Sequence, residues 1–330
     1  MSIAGKYSSP NLILLTVLFW LSGCSTEIEV VDPGPPVPVV YAVFDPSDTT
    51  HYVKLSKSFA GKTDPYTLAL DRNQVFYPEA SITLGGGYDP GAWVFSKNSE
   101  IPRDPGYFPT QPNESFGINQ LLFPGRYRLT IVIPSENKTL TADFSLLNSF
   151  RVYTPKAGFK RFYFYEDPIL FTWLNDPGAG MYEITFQLRY QEVLKNGDSG
   201  IKTAVFTRQL LPSQLEPDGD RFNYRFFSDS FFAKMGTSIG SDSRINYRKP
   251  LDFSMMITAA DTTLSRYLSW FNLEIDDKIN PNGNVQGAIG VVASKCSVRF
   301  NNLILSGRSQ DSLVRGRYTK NLEFVNNPDW

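Results

Sequence analysis

Histidine is almost missing from this chain. Among 330 residues it occurs once, as His51, and cysteine occurs twice, as Cys24 and Cys296. So few imidazole and thiol groups argue against a zinc centre and against a Ser-His or Cys-His catalytic pair. Neither sign of charge is in excess: 32 Lys and Arg face 33 Asp and Glu, for a formal net charge of −1. No block of basic residues occurs either, so nucleic acid is not expected as a partner. Long apolar runs are scarce. The main one, Leu12 to Leu21, is too short for a stable transmembrane helix.

That run has another reading. Lys6 precedes it and small residues end it, the pattern of a bacterial export signal. Its end, Leu21-Ser22-Gly23-Cys24, reads as a lipobox. There the cysteine thiol takes a diacylglyceryl group, the peptide bond before it is cleaved, and the new amine is acylated. Residues 1–23 are then a signal peptide, and Cys24 is the lipidation site that holds the chain to a membrane. Each buried methylene contributes about 0.8 kcal/mol, so more than one acyl chain gives stable anchoring. This covalent lipid is the one non-protein group expected; no cofactor is. With Cys24 lipidated, Cys296 is left alone and no intrachain disulfide is possible.

Residues 24–37 form a tether, with Glu27 and Glu29 followed by Pro33, Pro35 and Pro36. Proline favours extended, semi-rigid chain, which lifts the folded part off the membrane. Beyond it the composition favours strands: aromatics make up 14% of residues, and Gly 24 and Pro 23 suit many turns. The segments 37–44, 51–59, 80–86, 93–95, 126–133 and 139–146 read as strands. In the second of these, Lys57 falls on the apolar side. A turn-rich stretch from Ser96 to Asn119 reads as a long loop, a kind of segment that is often functional. Trp93 just before it, and Tyr107, Phe108 and Phe116 within it, are the candidate binding residues. The segment 181–193 alternates apolar and polar residues as a long half-buried strand does. Helices are expected after Ser228 or Asp229 as N-cap, and after Asp261. The expected fold is all-β, with two β-sandwich-like regions. Residues 38–149 form the first, immunoglobulin-like; residues 150–330 form the second, with one or two short helices.

The motifs that could carry chemistry are thin. Asp45 with Asp48, and Asp276 with Asp277, are oxygen donors of the kind calcium takes, but neither pair matches an EF-hand loop, so no metal is expected. No pattern pairs two carboxylates for glycosidase-type work. Gly85-Gly86-Gly87 is not followed by a lysine and a helix, so it is not a phosphate loop. The aromatic-rich stretches 161–165 and 221–232 read first as strand and core residues.

Several features together carry a resemblance. They are the lipobox and acidic tether, the Pro-Gly-x-Tyr-x-Leu turn at Pro124 to Leu129, and Asp-Pro-Gly before a Tyr-bearing strand at Asp176 to Tyr182. To these is added the segment from Asn284 through Gly287 and Gly290 to Ala293. This last resembles the Asn-Ile-x-Gly-Gly-x-Gly-x-Phe-Gly signature of an uncharacterised Bacteroidota outer-membrane lipoprotein family. Its members carry a domain of unknown function and are often encoded beside TonB-dependent receptors. Ala288, Val292 and Ala293 depart from that signature. Glu27 and Glu29 likewise resemble the acidic signals that send such lipoproteins to the cell surface. The resemblance implies a non-enzymatic accessory or binding partner of a TonB-dependent transporter, lipid-anchored and facing outward. It supplies no catalytic residues. A glycan-binding or adhesive module is the alternative, and it needs exposed aromatics such as Trp93, Tyr107 or Trp270.

Overall fold

The computed structural model of the chain describes residues 35–58, 64–87, 89–98, 106, 110, 113–164, 168–271 and 283–330. The leader, the lipidation site Cys24, Tyr107, Phe108 and the pair Asp276 and Asp277 lie outside them, as does the Trp270 side chain.

The first half contains β1 (Pro38–Phe44), β2 (Thr50–Lys57), α1 (Pro65–Leu70), α2 (Arg72–Val75), β3 (Ser81–Gly86) and β4 (Asp89–Val94). It continues with β5 (Ser96–Asn98), β6 (Ser115–Asn119), β7 (Gly125–Ile133) and β8 (Lys138–Leu146). The second half opens with β9 (Val152–Thr154), β10 (Arg161–Phe162), β11 (Ile169–Leu174), β12 (Ala179–Leu194) and β13 (Ser199–Leu210). Then come β14 (Glu216–Asp218), β15 (Arg221–Phe226), α3 (Ser228–Ile239), β16 (Ile245–Asp261) and α4 (Thr262–Phe271). The chain closes through β17 (Val285–Gln286), β18 (Ile289–Leu305) and α5 (Gly307–Arg315).

The fold is all-β and sandwich-like. A nine-stranded sheet runs β13-β12-β16-β18-β1-β2-β6-β5, with β10 also on β18. A five-stranded sheet, β17-β8-β7-β3-β4, and a four-stranded sheet, β14-β15-β11-β9, complete it. Two large apolar clusters fill the structure. Phe44, Val53, Ile82, Ile131 and Phe144 belong to one, and Trp173, Phe186, Phe231 and Phe253 to the other. The second is an aromatic mesh. Phe164 stacks on Phe231 at 4.3 Å, and Phe186 on Phe253 at 5.7 Å. Such pairs add about 0.5–1.5 kcal/mol each beyond the area they bury. The stretches 161–164 and 221–232 thus contribute core rings: Phe162, Phe164, Phe226, Phe231 and Phe232 are all buried.

The large sheet crosses position 149, where the sequence suggests a boundary. β18 is the strand that carries it across. Its first part pairs in parallel with β1, from Val39↔Ile289 to Phe44↔Ser294. Its middle pairs antiparallel with β16, from Ala260↔Lys295 to Phe253↔Leu303. Its end pairs with β10 at Arg161↔Ile304 and Phe162↔Leu305. Gly290 sits at φ +122, and a Cβ there would strike the carbonyl of Val40, so β1 and β18 meet closely only because this residue lacks one.

β16 stops at Asp261, which leaves part of one edge of β18 without a strand. Two side chains stand in for it. The Asn284 amide accepts from Val292 N–H at 2.9 Å and donates to Val292 C=O at 2.7 Å. The Asp261 carboxylate accepts from Ser294 N–H at 2.8 Å, and its other oxygen accepts from Leu264 N–H at 2.7 Å, capping α4. α4 covers a small third cluster around Met181, Ala260 and Val291.

Some expectations change. The N-cap of α3 is Phe227, with no side-chain cap, so neither Ser228 nor Asp229 fills that role. Among the described residues beyond 150 there are three α-helices, the third being α5, which Ser306 caps by accepting from Ser309 N–H. α1 and α2 are also unforeseen; Asp64 and Asp71 cap them, with Pro65 in the first turn of α1. The two apolar segments at 285–300 are mostly one strand, β18. The long loop is partly strand, since its two ends, β5 and β6, pair with each other. Lys57 on the apolar side is accounted for: its ammonium lies 4.6 Å from the Tyr77 ring and donates to the Asn73 carbonyl.

Candidate functional site

Phe116, expected as a contact residue, is a core residue. It is 4% exposed and packs in the first cluster, because β6 turns it inward beside Val53. Trp93 is half-buried and leans on Tyr127 at 6.2 Å. It borders a depression of about 460 Å³ with Val94, Lys97, Asn119 and Gln120. The structure brings no other of the expected binding residues to that place, since Tyr107 and Phe108 lie outside the described residues.

A larger groove, about 690 Å³, lies where the sheet opens between β1 and β10. One wall is the chain from Ser149 to Val152. It is held to β11 by Leu174 N–H donating to the Arg151 carbonyl at 2.8 Å. The other wall is the turn from Ala157 to Lys160. Gly158 allows that turn at φ +81, and Phe159 N–H closes it on the Lys156 carbonyl. The ring of Phe159 rests edge-on against Phe162 at 6.0 Å, and Ile304 N–H donates to the Lys160 carbonyl. β18 forms the floor, from Val298 to Asn301.

The chemistry of the groove is one-sided. Arg151, Lys160 and Arg299 line it, all three exposed, and no described lining residue is acidic. Among the described residues, none of these three side chains has a hydrogen-bond or ion-pair partner. The arrangement can accept carboxylates or other anions, with Phe159, Leu174 and Val298 supplying apolar contact beneath. Arg299 and Asn301 also reach a small polar recess on the outer face of the sheet, beside Gln187 and Ser254.

Among the described residues the imidazole, the thiol and the Asp45 carboxylate lie elsewhere, and are buried. Cys296 is 1% exposed, and burial, with Asp45 nearby, pushes its thiol up to about 11, so it stays protonated. His51 is 2% exposed, and its Nε2 lies 3.0 Å from the Gln120 carbonyl, to which it must donate. Burial lowers its pKa and favours the neutral ring. Asp45 accepts from the backbone N–H and the hydroxyl of Ser47, which fixes the β1–β2 turn. Among the described residues no cluster of three or more His, Cys, Asp or Glu could hold a metal ion.

The three cations escape sequence reading because each stands alone in the chain and only the fold assembles them. The one available signal is Arg151, Lys156, Lys160 and Arg161 within the turn-rich stretch near 149–161. Set against known proteins, the chain matches no family model and no curated protein.

Proposed function

We propose that this protein is a lipid-anchored, non-catalytic module of the bacterial outer membrane. It is held by lipid on Cys24 with its folded part facing outward, and it binds a membrane-protein partner such as a TonB-dependent transporter. The observation that carries the reading is the groove, which Arg151, Lys160 and Arg299 line and no described carboxylate does. Supporting it are the lipobox at Leu21 to Cys24, the acidic and Pro-rich tether, and the likeness of 284–293 to the Bacteroidota lipoprotein signature. A tethered module works close to the membrane, where integral proteins are at high effective concentration.

The experiment is affinity purification from outer membranes in mild detergent, comparing the native chain with Cys24→Ser. The reading expects a co-purifying integral protein and loss of membrane partition in the variant. Recovery of the chain alone, or unchanged partition of the variant, would count against it. The alternative, a glycan-binding module, draws on Trp93 beside its depression. It requires that Trp93→Ala abolish retention on a glycan column.

A further inference from the structure

β18 has two edges, and only one is capped along its whole length. On the side of β16, Asn284 and Asp261 hold the backbone of Val292 and Ser294 where no strand does. These bonds also fix the direction of each peptide group. Backbone groups alternate sides every residue along a strand, so in this stretch the even-numbered residues face β16 and the odd-numbered ones face the other edge. A bulge between Met255↔Phe300 and Phe253↔Leu303, with Asn302 at φ +54, puts one extra residue into β18 and reverses that order. Ile304 N–H then points to the other edge, and it donates there to Lys160 C=O at 2.9 Å. Both ends of the stretch agree.

On that second edge β1 ends at Ser294 and β10 begins at Ile304. The chain at 147–150 covers the first part, where Leu147 N–H donates to the Ser294 hydroxyl and Phe150 N–H to the Cys296 thiol. The Ser297 N–H also donates to the Cys296 thiol. Beyond that part, Arg299 on the groove floor turns its N–H and C=O toward the groove, as the Ser297 C=O does beside it, and among the described residues these groups have no partner on that side. We propose that the groove takes an extended, acidic peptide segment of a protein partner as an added strand on β18.

The inference rests on the reading above that the groove binds a protein partner, and it names the mode. Main-chain bonds to the Arg299 N–H and C=O and to the Ser297 C=O supply the pairing, and carboxylates on the segment meet the cations that line the groove. At about 3.3 Å per residue the open floor seats roughly four or five residues. Cations and bulges can also serve simply to guard an edge against other chains. That role predicts no binding of an acidic strand, so the two are separable.

The test is fluorescence anisotropy with the purified full chain. The probe is a labelled ten-residue peptide alternating Glu with Val and Thr. The comparisons are the same peptide N-methylated at alternate residues, its Lys-for-Glu counterpart, and an oligogalacturonate of equal charge. The proposal expects saturable binding of the acidic peptide, at least tenfold weaker binding after N-methylation, and none for the Lys peptide. Arg151→Glu and Lys160→Glu should each weaken binding at least threefold with an unchanged circular dichroism spectrum. Hydrogen exchange should slow at the Arg299 amide on binding and stay the same at Val298. Absence of binding by the acidic peptide overturns the proposal. So does equal binding of the N-methylated peptide or of the oligogalacturonate, since either means charge alone is read. If a membrane partner co-purifies equally with Lys160→Glu, strand addition fails while the accessory reading stands. If no partner co-purifies but the Arg299 amide is protected by the peptide, the accessory reading fails and strand addition stands.

Discussion

Replacing Asn284 with Ala removes one side chain and leaves two backbone groups without partners. Val292 is 0% exposed, and its N–H and C=O are both held by the Asn284 amide at 2.9 and 2.7 Å. An orphaned buried donor or acceptor costs about 1–3 kcal/mol. The third bond, to the Asp143 carbonyl at 3.1 Å, lies at an exposed place and adds less. Asn284 is itself only half-buried, so water can reach part of the gap, which sets the expectation near the low end of the sum. The expected loss for Asn284→Ala is about 2–4 kcal/mol. In urea titration followed by tryptophan fluorescence, the midpoint should fall by on the order of 1 M with the slope unchanged. Asn284→Asp keeps an acceptor for Val292 N–H and gives up the donor, so it should lose roughly half as much. A loss below about 0.5 kcal/mol for Asn284→Ala, at unchanged slope, would refute the idea that this side chain substitutes for a strand.

Other substitutions follow from the same geometry. Gly290→Ala should prevent soluble folding or cost more than about 3 kcal/mol, because its Cβ meets the Val40 carbonyl. Gly85→Ala should be within about 0.5 kcal/mol of wild type, because nothing lies within 4 Å of the added atom; thermal melts of the two compare directly. Phe116→Ala should cost about 3–5 kcal/mol in chemical denaturation and leave peptide binding in the groove unchanged, as a core ring would. His51 has a lowered pKa in the fold, so it favours the folded state above the unfolded value of 6.5. That contribution is lost as pH falls through the lower folded value. His51→Gln should therefore flatten the acid side of the stability profile measured between pH 7 and 4.

Local pattern carried much of the fold. The alternation in β12 places Tyr182, Ile184, Phe186 and Leu188 inward, as their spacing predicts, and all are buried. The hairpin of β7 and β8 and the Asp261 cap were readable for the same reason: each depends on neighbours in the chain. What escaped depends on distant partners. Nothing local says that β1 pairs with β18, some 250 residues on. Nor does the sequence say that Phe116 faces inward: in a turn-rich stretch there is no alternation to assign its face. Lys57 broke the pattern of β2 because α2 and Tyr77, absent from the sequence reading, supply its surroundings. The groove was illegible for the strongest form of this reason. Its walls and floor come from segments around 151, 160 and 299, and its defining feature is an edge that no strand occupies.

Photo-crosslinking in the native outer membrane tests the central claim most directly. A photoreactive amino acid is placed at Asn301, on the groove floor, and separately at Val205, exposed on β13 away from it. The account predicts a crosslink from position 301 to one integral membrane protein, its loss when Lys160→Glu is added, and none from position 205. Equal crosslinks from both positions, or none from 301, would contradict it.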